Sequence, residues 1–195
     1  MPLGANKAAI MGVAGVSTGD VVLLSTQTAD NDATVSFTSG INATYGEYVF
    51  KFYNINAATD QAQFSFQANA SGQSGYNETI QSAVFRGYHN EDDSSSLLTN
   101  LTSADQAQGT AFQQIAYSLG NDADEQVSGE LHLFNPSSTA SVTYFNSRTS
   151  ASGYEPAAID FFVGGHINTT SAITDIQFKM SSGNFDGKIK LWGVK

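Results

Sequence analysis

Hydrophobic and polar residues alternate with a period of two along many segments between residue 34 and the C-terminus. In 61–67, for example, Ala62, Phe64 and Phe66 share one face, while the other face carries only glutamine and serine. Such alternation predicts strands of antiparallel sheets that have one packed face and one solvated face. Across the strongest of these strands it predicts that the following side chains are buried: Phe50, Phe52, Phe64, Phe66, Ile176, Phe178, Ile189 and Leu191.

Weaker alternation predicts further strands, and clusters of glycine, asparagine, serine and proline separate them as turns. These strands fall at 34–38, 79–88, 110–118, 127–134, 140–147 and 158–167. Leu97, Leu98 and Leu101 lie at helical spacing in 96–107, which predicts about one helical turn there. The whole pattern predicts an all-β protein, an antiparallel β-sandwich of the jelly-roll type, over residues 21–195.

Residues 1–20 differ from this body because small residues dominate them and large apolar groups are few. We expect an extended N-terminal arm that cannot form its own core but can become ordered in a groove of a partner. The side chains expected to make this attachment are Ile10, Met11, Val13 and Val16. The longest weakly apolar run, 8–16, is far shorter than the roughly 20 residues of a membrane-spanning helix. A secretory signal is the alternative interpretation of this run, but two glycines interrupt it.

The composition of the 195-residue chain narrows the function classes. It contains no cysteine, which excludes a disulfide framework, a thiolate metal site and a cysteine nucleophile. The formal net charge is −10, so the chain repels phosphate and we expect no nucleic-acid partner. Charge is also segregated, because the interval between Arg86 and Arg148 holds eight acids and no lysine or arginine. The last eight residues carry three lysines, which could pair with the acidic region of a neighbouring copy.

Calcium is the one cofactor for which the sequence offers candidate ligands. The segment 120–125 is rich in oxygen ligands, and Asp122, Asp124 and Glu125 are its candidate carboxylates. It lacks the spacing of an EF-hand, so solvated acidic surface is the alternative interpretation. The three histidines are far apart in sequence and form no HExxH motif, which excludes the helical zinc site.

Catalytic motifs are absent from the sequence. There is no GxSxG elbow and no glycine-rich phosphate loop. The paired carboxylates of a glycan hydrolase need only lie about 5–10 Å apart in space, so this class stays open at the sequence level. Three aromatic residues are candidates for exposed contacts, and protein contacts are more common for such residues than sugar contacts: Tyr76, Tyr154 and Trp192.

Several segments resemble small structural proteins of marine tailed bacteriophages. They are LGANKAAIMG at 3–12, YVFKF at 48–52 followed by FSF at 64–66, and LFNPSST at 133–139. The strongest segments are GHINTTSAITDIQFKMSSGN at 165–184 and DGKIKLWG at 186–193. The resemblance implies a jelly-roll β-sandwich on the virion exterior, as a capsid decoration, cement or fibre protein. It implies no catalytic residues.

We therefore expect a non-enzymatic virion structural protein that is made in the host cytoplasm. It would attach to capsid or tail proteins through its arm and associate with copies of itself, as trimers by analogy, without nucleic acid or membrane insertion. Two other functions stay open. One is a receptor- or carbohydrate-binding module of a tail fibre, and the other is a β-sandwich glycan hydrolase.

Overall fold

A computed structural model describes residues 20–195, and all regular structure in this range is β-strand. The predicted attachment residues Ile10, Met11, Val13 and Val16 lie outside the described residues. The strands are β1 (Val21–Asp32), β2 (Thr34–Phe37), β3 (Glu47–Ala57), β4 (Phe64–Ala70), β5 (Ile80–Asn90), β6 (Ser96–Asn100), β7 (Ala107–Gly109), β8 (Gln113–Gln114), β9 (Val127–Phe134), β10 (Thr143–Ser152), β11 (Ala157–Ile167), β12 (Ile173–Met180) and β13 (Phe185–Val194).

The strands form two antiparallel sheets that pack as a sandwich, which confirms the predicted fold class. The large sheet has the order β1-β13-β3-β9-β10-β11-β5-β6, and β7 also pairs with β5. The small sheet has the order β2-β12-β4-β8. Every strand pairing in both sheets is antiparallel. Within residues 20–195, the small sheet packs on the inner face of the large sheet, and no strand packs on the outer face.

Phenylalanine rings from both sheets meet in the core around Phe178 of β12. The Phe178 ring packs edge-on against Phe37, Phe50 and Phe52 and stacks on Phe64, with centroid distances between 5.3 and 6.2 Å. Aromatic pairs in these arrangements add to the stability that burial alone provides. All the side chains whose burial was predicted from alternation are at most 1% exposed.

The helical turn predicted in 96–107 is wrong. Residues 96–100 form the edge strand β6, which pairs with 85–89 of β5. An edge strand satisfies its backbone groups through its neighbour, which one isolated helical turn cannot do. Only Leu101 of the three leucines packs against the core, while Leu97 and Leu98 are exposed.

The predicted strand 110–118 is much shorter in the structure. Only β8 (Gln113–Gln114) pairs with β4. The buried side chain of Gln113 donates to the carbonyl oxygens of Ala104 and Gln114, so it holds a local bend in the chain. Beyond β8, the amides of Ile115 and Ala116 both donate to the carbonyl oxygen of Phe64, a pattern that does not continue a regular ladder.

Candidate functional site

The outer face of the large sheet, turned away from the small sheet, holds most of the exposed apolar side chains. Residues 20–195 contain ten large hydrophobic side chains that are exposed. Strand alternation and register put most of them on this one face. They are Val21, Leu23, Tyr53, Phe85, Leu98, Phe134, Tyr144 and Phe162, which leaves Leu97 and Tyr154 elsewhere. Exposed apolar side chains grouped on one face indicate an interaction surface.

Three of these side chains, Phe85, Phe162 and Leu98, form an apolar patch near the β6 edge of the large sheet. Phe85 of β5 lies directly opposite Phe162 of β11 in the sheet register. Leu98 of the edge strand β6 lies opposite Gly87 and is 73% exposed, the largest value among the exposed hydrophobic side chains. Because Gly87 has no side chain, Leu98 lies over its backbone. The patch therefore spans the last three strands of the large sheet, β11, β5 and β6, up to its free edge.

A cluster of charged side chains from β3 and β9 lies beside the patch on the same face. The two carboxylate oxygens of Glu130 contact Lys51 Nζ at 3.3 Å and His132 Nε2 at 3.2 Å. Glu47 contacts the other ring nitrogen of His132, Nδ1. Both oxygens of Glu130 and both ring nitrogens of His132 thus have partners within the cluster. The cluster therefore ties β3 to β9 across the sheet.

The pKa of Glu130 is lower than its usual value. Partial burial opposes the ionised form, but the hydrogen bonds and charges of His132 and Lys51 favour it and outweigh the burial. A glycan hydrolase needs the opposite at one of its carboxyl groups, because a general acid requires a raised pKa. Glu130 is therefore suited to an ion pair rather than to proton donation.

Arg148 and Asp160 form a second ion pair that borders the apolar patch. Arg148 Nη2 contacts Asp160 Oδ2 at 2.7 Å, and the guanidinium carbon lies 4.9 Å from the centroid of the Phe162 ring. The hydrogen bond from Arg148 holds the pKa of Asp160 below its usual value, against partial burial, and a hydrogen bond from Ser150 Oγ at 2.8 Å assists. The pair therefore fixes Arg148 over the Phe162 ring.

The ion pair should give a pH-dependent contribution to stability. Because the folded-state pKa of Asp160 is depressed, its contribution is present above the unfolded pKa near 4 and is lost as the pH falls through the folded value. Asp160→Asn should lower the free energy of unfolding by up to about 1 kcal/mol at pH 7, as for an exposed pair. Urea unfolding of both proteins at pH 7 and below pH 3 measures this. A difference that stays constant between the two conditions would contradict the assignment.

The aromatic residues predicted to be exposed have different surroundings. Tyr154 is exposed, as predicted, whereas Tyr76 is partly buried. The predicted exposure of Trp192 is wrong as well. Trp192 lies on the outer face, but it is partly buried. Its register partners Leu23 and Val49 are aliphatic and flank the indole, whose Nε1 is buried without a hydrogen-bond partner.

The acidic loop at 120–125 is organised by hydrogen bonds within the protein. Glu125 Oε2 accepts a hydrogen bond from the Asp122 amide at 3.1 Å. Asn56 Nδ2 donates to the carbonyl oxygens of Asp122 and Glu125. Within residues 20–195, no three histidine, aspartate or glutamate side chains come together as a metal-binding group, so Asp122, Asp124 and Glu125 do not form one. Calcium binding by this loop remains a prediction from the sequence alone.

The apolar patch was not among the sites predicted from the sequence, although a signal for it exists. Val84 and Phe85 are consecutive apolar residues in a strand, and so are Phe161 and Phe162. In each pair one residue must point away from the core, because neighbouring side chains in a strand face opposite sides. The sequence does not show that the outward members, Phe85 and Phe162, are adjacent, since that depends on the register of β5 with β11.

Comparison of the chain with known proteins finds only distant similarity to solved structures. No protein-family model matches the chain, and no curated protein matches it. A legume lectin-like domain from Entamoeba histolytica is similar over 91% of this chain and 88% of its own, with 9% identity and a TM-score of 0.35. An alginate lyase from Alteromonas sp.272 covers 93% of each chain, with 10% identity and a TM-score of 0.24.

A structure of infectious bursal disease virus Gx strain is similar over 89% of this chain and 40% of that chain, with 12% identity and a TM-score of 0.18. With every one of these TM-scores below 0.5, the likenesses carry no argument about function. A β-sandwich with an open apolar face is compatible with a structural or binding role.

Membrane insertion through a helix has no support in residues 20–195. None of the described segments is a helix of sufficient length and hydrophobicity to cross a bilayer.

Proposed function

We propose that this protein is a non-enzymatic structural protein on the exterior of a virion, a capsid decoration, cement or fibre component that associates with copies of itself. The observation that carries the proposal is the outer face of the large sheet, on which exposed apolar side chains are concentrated. A protein that acts alone in solution rarely keeps such a face open. The resemblance of the sequence to structural proteins of tailed bacteriophages supports a virion as the particle to which it attaches.

Charge complementarity favours a second copy as the occupant of this face. Lys188 and Lys190 lie on β13, next to the edge strand β1 at one end of the large sheet. The turn between β5 and β6 at the other end carries Glu91, Asp92 and Asp93. A contact that joins the lysines of one copy to the acidic turn of the next is head-to-tail, and such contacts form a ring when the rotation between copies closes and an open filament when it does not. A trimer, the state implied by the resemblance, is one such ring.

The charged clusters of the outer face support a role without catalysis. Glu130 and His132 have their polar side-chain atoms paired within their cluster, and Asp160 is held by Arg148 and Ser150. The depressed pKa values of Glu130 and Asp160 keep both carboxylates ionised at neutral pH. These features suit an interaction surface that is rigid and specific, since ion pairs at a rim select partners and their orientation.

The proposal is tested by removing the apolar patch. The double variant Phe85→Ser with Phe162→Ser should shift sedimentation from an oligomer to a monomer and reduce incorporation into purified particles by at least about tenfold, because a few large anchoring side chains contribute most of the affinity of an interface. Quantitative gels of the particles measure the occupancy. Hundreds of copies per particle would support a cement role, and tens would support the receptor-binding alternative.

The control is Tyr154→Ser, which also removes an exposed aromatic ring but lies off the outer face. This variant should sediment and incorporate like the wild type. The double variant should still unfold in one cooperative transition, at a lower temperature than the wild type, because Phe85 and Phe162 are partly exposed and lie outside the core between the sheets. Wild-type incorporation and sedimentation of the double variant would overturn the proposed interface. Turnover of a glycan by the purified protein would overturn the non-enzymatic role.

A further inference from the structure

A pocket of about 310 Å³ lies at the end of β5, on the inner side of the large sheet and away from the outer face. Arg86 and Tyr88 continue the inner face of β5 beyond the buried Val84, with the alternation of a strand. The other walls come from the β5–β6 turn, the segment after β8 and the β10–β11 turn. Polar residues from these walls that line the pocket are Asn90, Ser95, Ser118 and Glu155.

Two tyrosine rings hold the guanidinium of Arg86. The guanidinium carbon lies 5.1 Å from the ring centroid of Tyr88 and 4.9 Å from that of Tyr117. The hydroxyl of Tyr88 is hydrogen-bonded to Ser95 Oγ at 3.2 Å, which fixes one of the rings. Stacking of this kind attracts a guanidinium and restricts its plane, but it uses none of its N–H donors.

The N–H donors of Arg86 lack the partners that an enclosed arginine normally has. None of the ion pairs in residues 20–195 includes Arg86, and its Nε is buried without a hydrogen-bond partner. Arg148, the other arginine of the chain, shows the contrast. It also lies over an aromatic ring, but its guanidinium is bound by the carboxylate of Asp160. The Nη groups of Arg86, unlike its Nε, are not buried, so they can donate to an acceptor that enters the pocket.

The geometry selects the chemistry of the acceptor. A planar guanidinium matches a carboxylate, which accepts two parallel N–H···O bonds. Glu155 lines the same pocket and repels a ligand that is anionic throughout, so the rest of the ligand must donate hydrogen bonds. The side chains of Asn90, Ser95 and Ser118 add further donors and acceptors. A carboxylate attached to a ring of hydroxyl groups meets all these conditions.

The rim of the pocket provides apolar surface for such a ring. Leu97 lies opposite Tyr88 in the register of β5 with β6 and is 50% exposed. Tyr154, which precedes Glu155, is 42% exposed, and its amide donates to the carbonyl oxygen of Ser118. These are the two exposed hydrophobic side chains that the outer face does not include. An exposed tyrosine and an aliphatic side chain beside polar groups are arranged as in small-molecule sites.

We propose that this pocket binds the carboxylate of an acidic sugar, with Arg86 gripping the carboxylate and Glu155 accepting hydrogen bonds from the ring hydroxyls. The site goes beyond the proposed structural role and does not depend on it. Acidic sugars include uronates and sialic acids, which share the carboxylate and the hydroxylated ring. A structural protein with this pocket could hold an acidic glycan while its outer face contacts other copies.

The test is an NMR titration of the full-length, isotope-labelled protein at pH 7 with three probes. Glucuronic acid or N-acetylneuraminic acid should shift the resonances of the pocket residues with a Kd of millimolar order. Tighter binding of glucuronic acid would identify the ligand class as uronates, and tighter binding of N-acetylneuraminic acid would identify it as sialic acids. The methyl ester of glucuronic acid keeps the ring but lacks the charge, so it should bind at least about tenfold more weakly than glucuronic acid.

Variants connect the binding to Arg86. Arg86→Gln should abolish binding, and Arg86→Lys should weaken it at least about tenfold, because an ammonium cannot make the paired hydrogen bonds of a guanidinium. Arg148→Gln, on the outer face, is the matched control and should bind as the wild type does. If Arg86→Gln does not fold, Arg86→Lys and the ester decide the question.

Three results would overturn the site. The first is equal affinity of the ester and the acid, and the second is equal affinity of Arg86→Lys and the wild type. The third is the absence of shifts in the pocket residues with either acid up to about 0.1 M, which is far weaker than a specific sugar site. None of these results bears on the sedimentation or the incorporation of the patch variant, so failure of this site and failure of the structural role are separate outcomes.

Discussion

Phe178→Ala should lower the free energy of unfolding by about 3–5 kcal/mol, the range for truncating a large buried ring. Phe178 is fully buried, and four phenylalanine rings surround it. Since Phe50 and Phe52 belong to the large sheet and Phe37 and Phe64 to the small one, the truncation opens a cavity where the two sheets meet. The rigid strands around it cannot collapse fully into that space, which adds to the lost burial.

Urea unfolding followed by the fluorescence of Trp192, the single tryptophan, measures this loss. Phe162→Ala is the control, because it removes the same ring from the exposed outer face. It should cost only about 1 kcal/mol, the size of a cross-strand contact with Phe85 and a cation–π contact with Arg148 at a partly exposed site. Similar losses for the two variants would contradict the arrangement of the core around Phe178.

The sequence was sufficient to predict the central strands because most of them contrast a buried face with a more exposed face. The solvated face predicted for 61–67 is wrong in β4, because Ser65 and Gln67 are buried there as well. In β12 and β13 this contrast produces strict alternation, and the predicted core positions Ile176, Phe178, Ile189 and Leu191 are all buried. The edge strands lack the contrast. Only Ala29 is buried among the residues of β1, and no residue of β6 is buried, so neither strand was predicted. Pairing with a neighbour, rather than burial, makes these segments strands.

The candidate sites depend on the register between segments that are distant in sequence. The apolar patch needs Phe85 opposite Phe162, and the pocket joins Arg86 to Ser118 and Glu155 through three separate turns and strands. Alternation within one strand indicates which face a residue occupies, but it does not indicate which strand lies beside it. The exposure of Tyr154 was predicted from its glycine-rich turn, whereas its place at the rim of the Arg86 pocket could come only from the fold.

Two adjacent glycines of β11 allow the register of the large sheet to be tested directly. They face opposite sides of the sheet, because neighbouring residues of a strand alternate. A Cβ atom added to Gly165 would overlap the carbonyl oxygen of Gln81, and it would lie 2.9 Å from Phe145 Cζ and 3.0 Å from Ser82 Cα. A Cβ atom added to Gly164 would meet nothing within 4 Å. Position 165 therefore has no room for a side chain, whereas position 164 does.

Gly165→Ala should lower the free energy of unfolding by about 3 kcal/mol, at the upper end for overpacking, because backbone atoms of β5 cannot move aside as a flexible side chain would. Gly164→Ala should change it by less than about 0.5 kcal/mol, as at an open surface position. Parallel urea titrations of the two variants measure the difference, and the substitution is identical in both. Equal losses, or a larger loss for Gly164→Ala, would mean that β5 and β11 pair in a register shifted by one residue. Such a shift would move Phe85 and Phe162 away from each other and would also dismantle the apolar patch on which the proposed self-association depends.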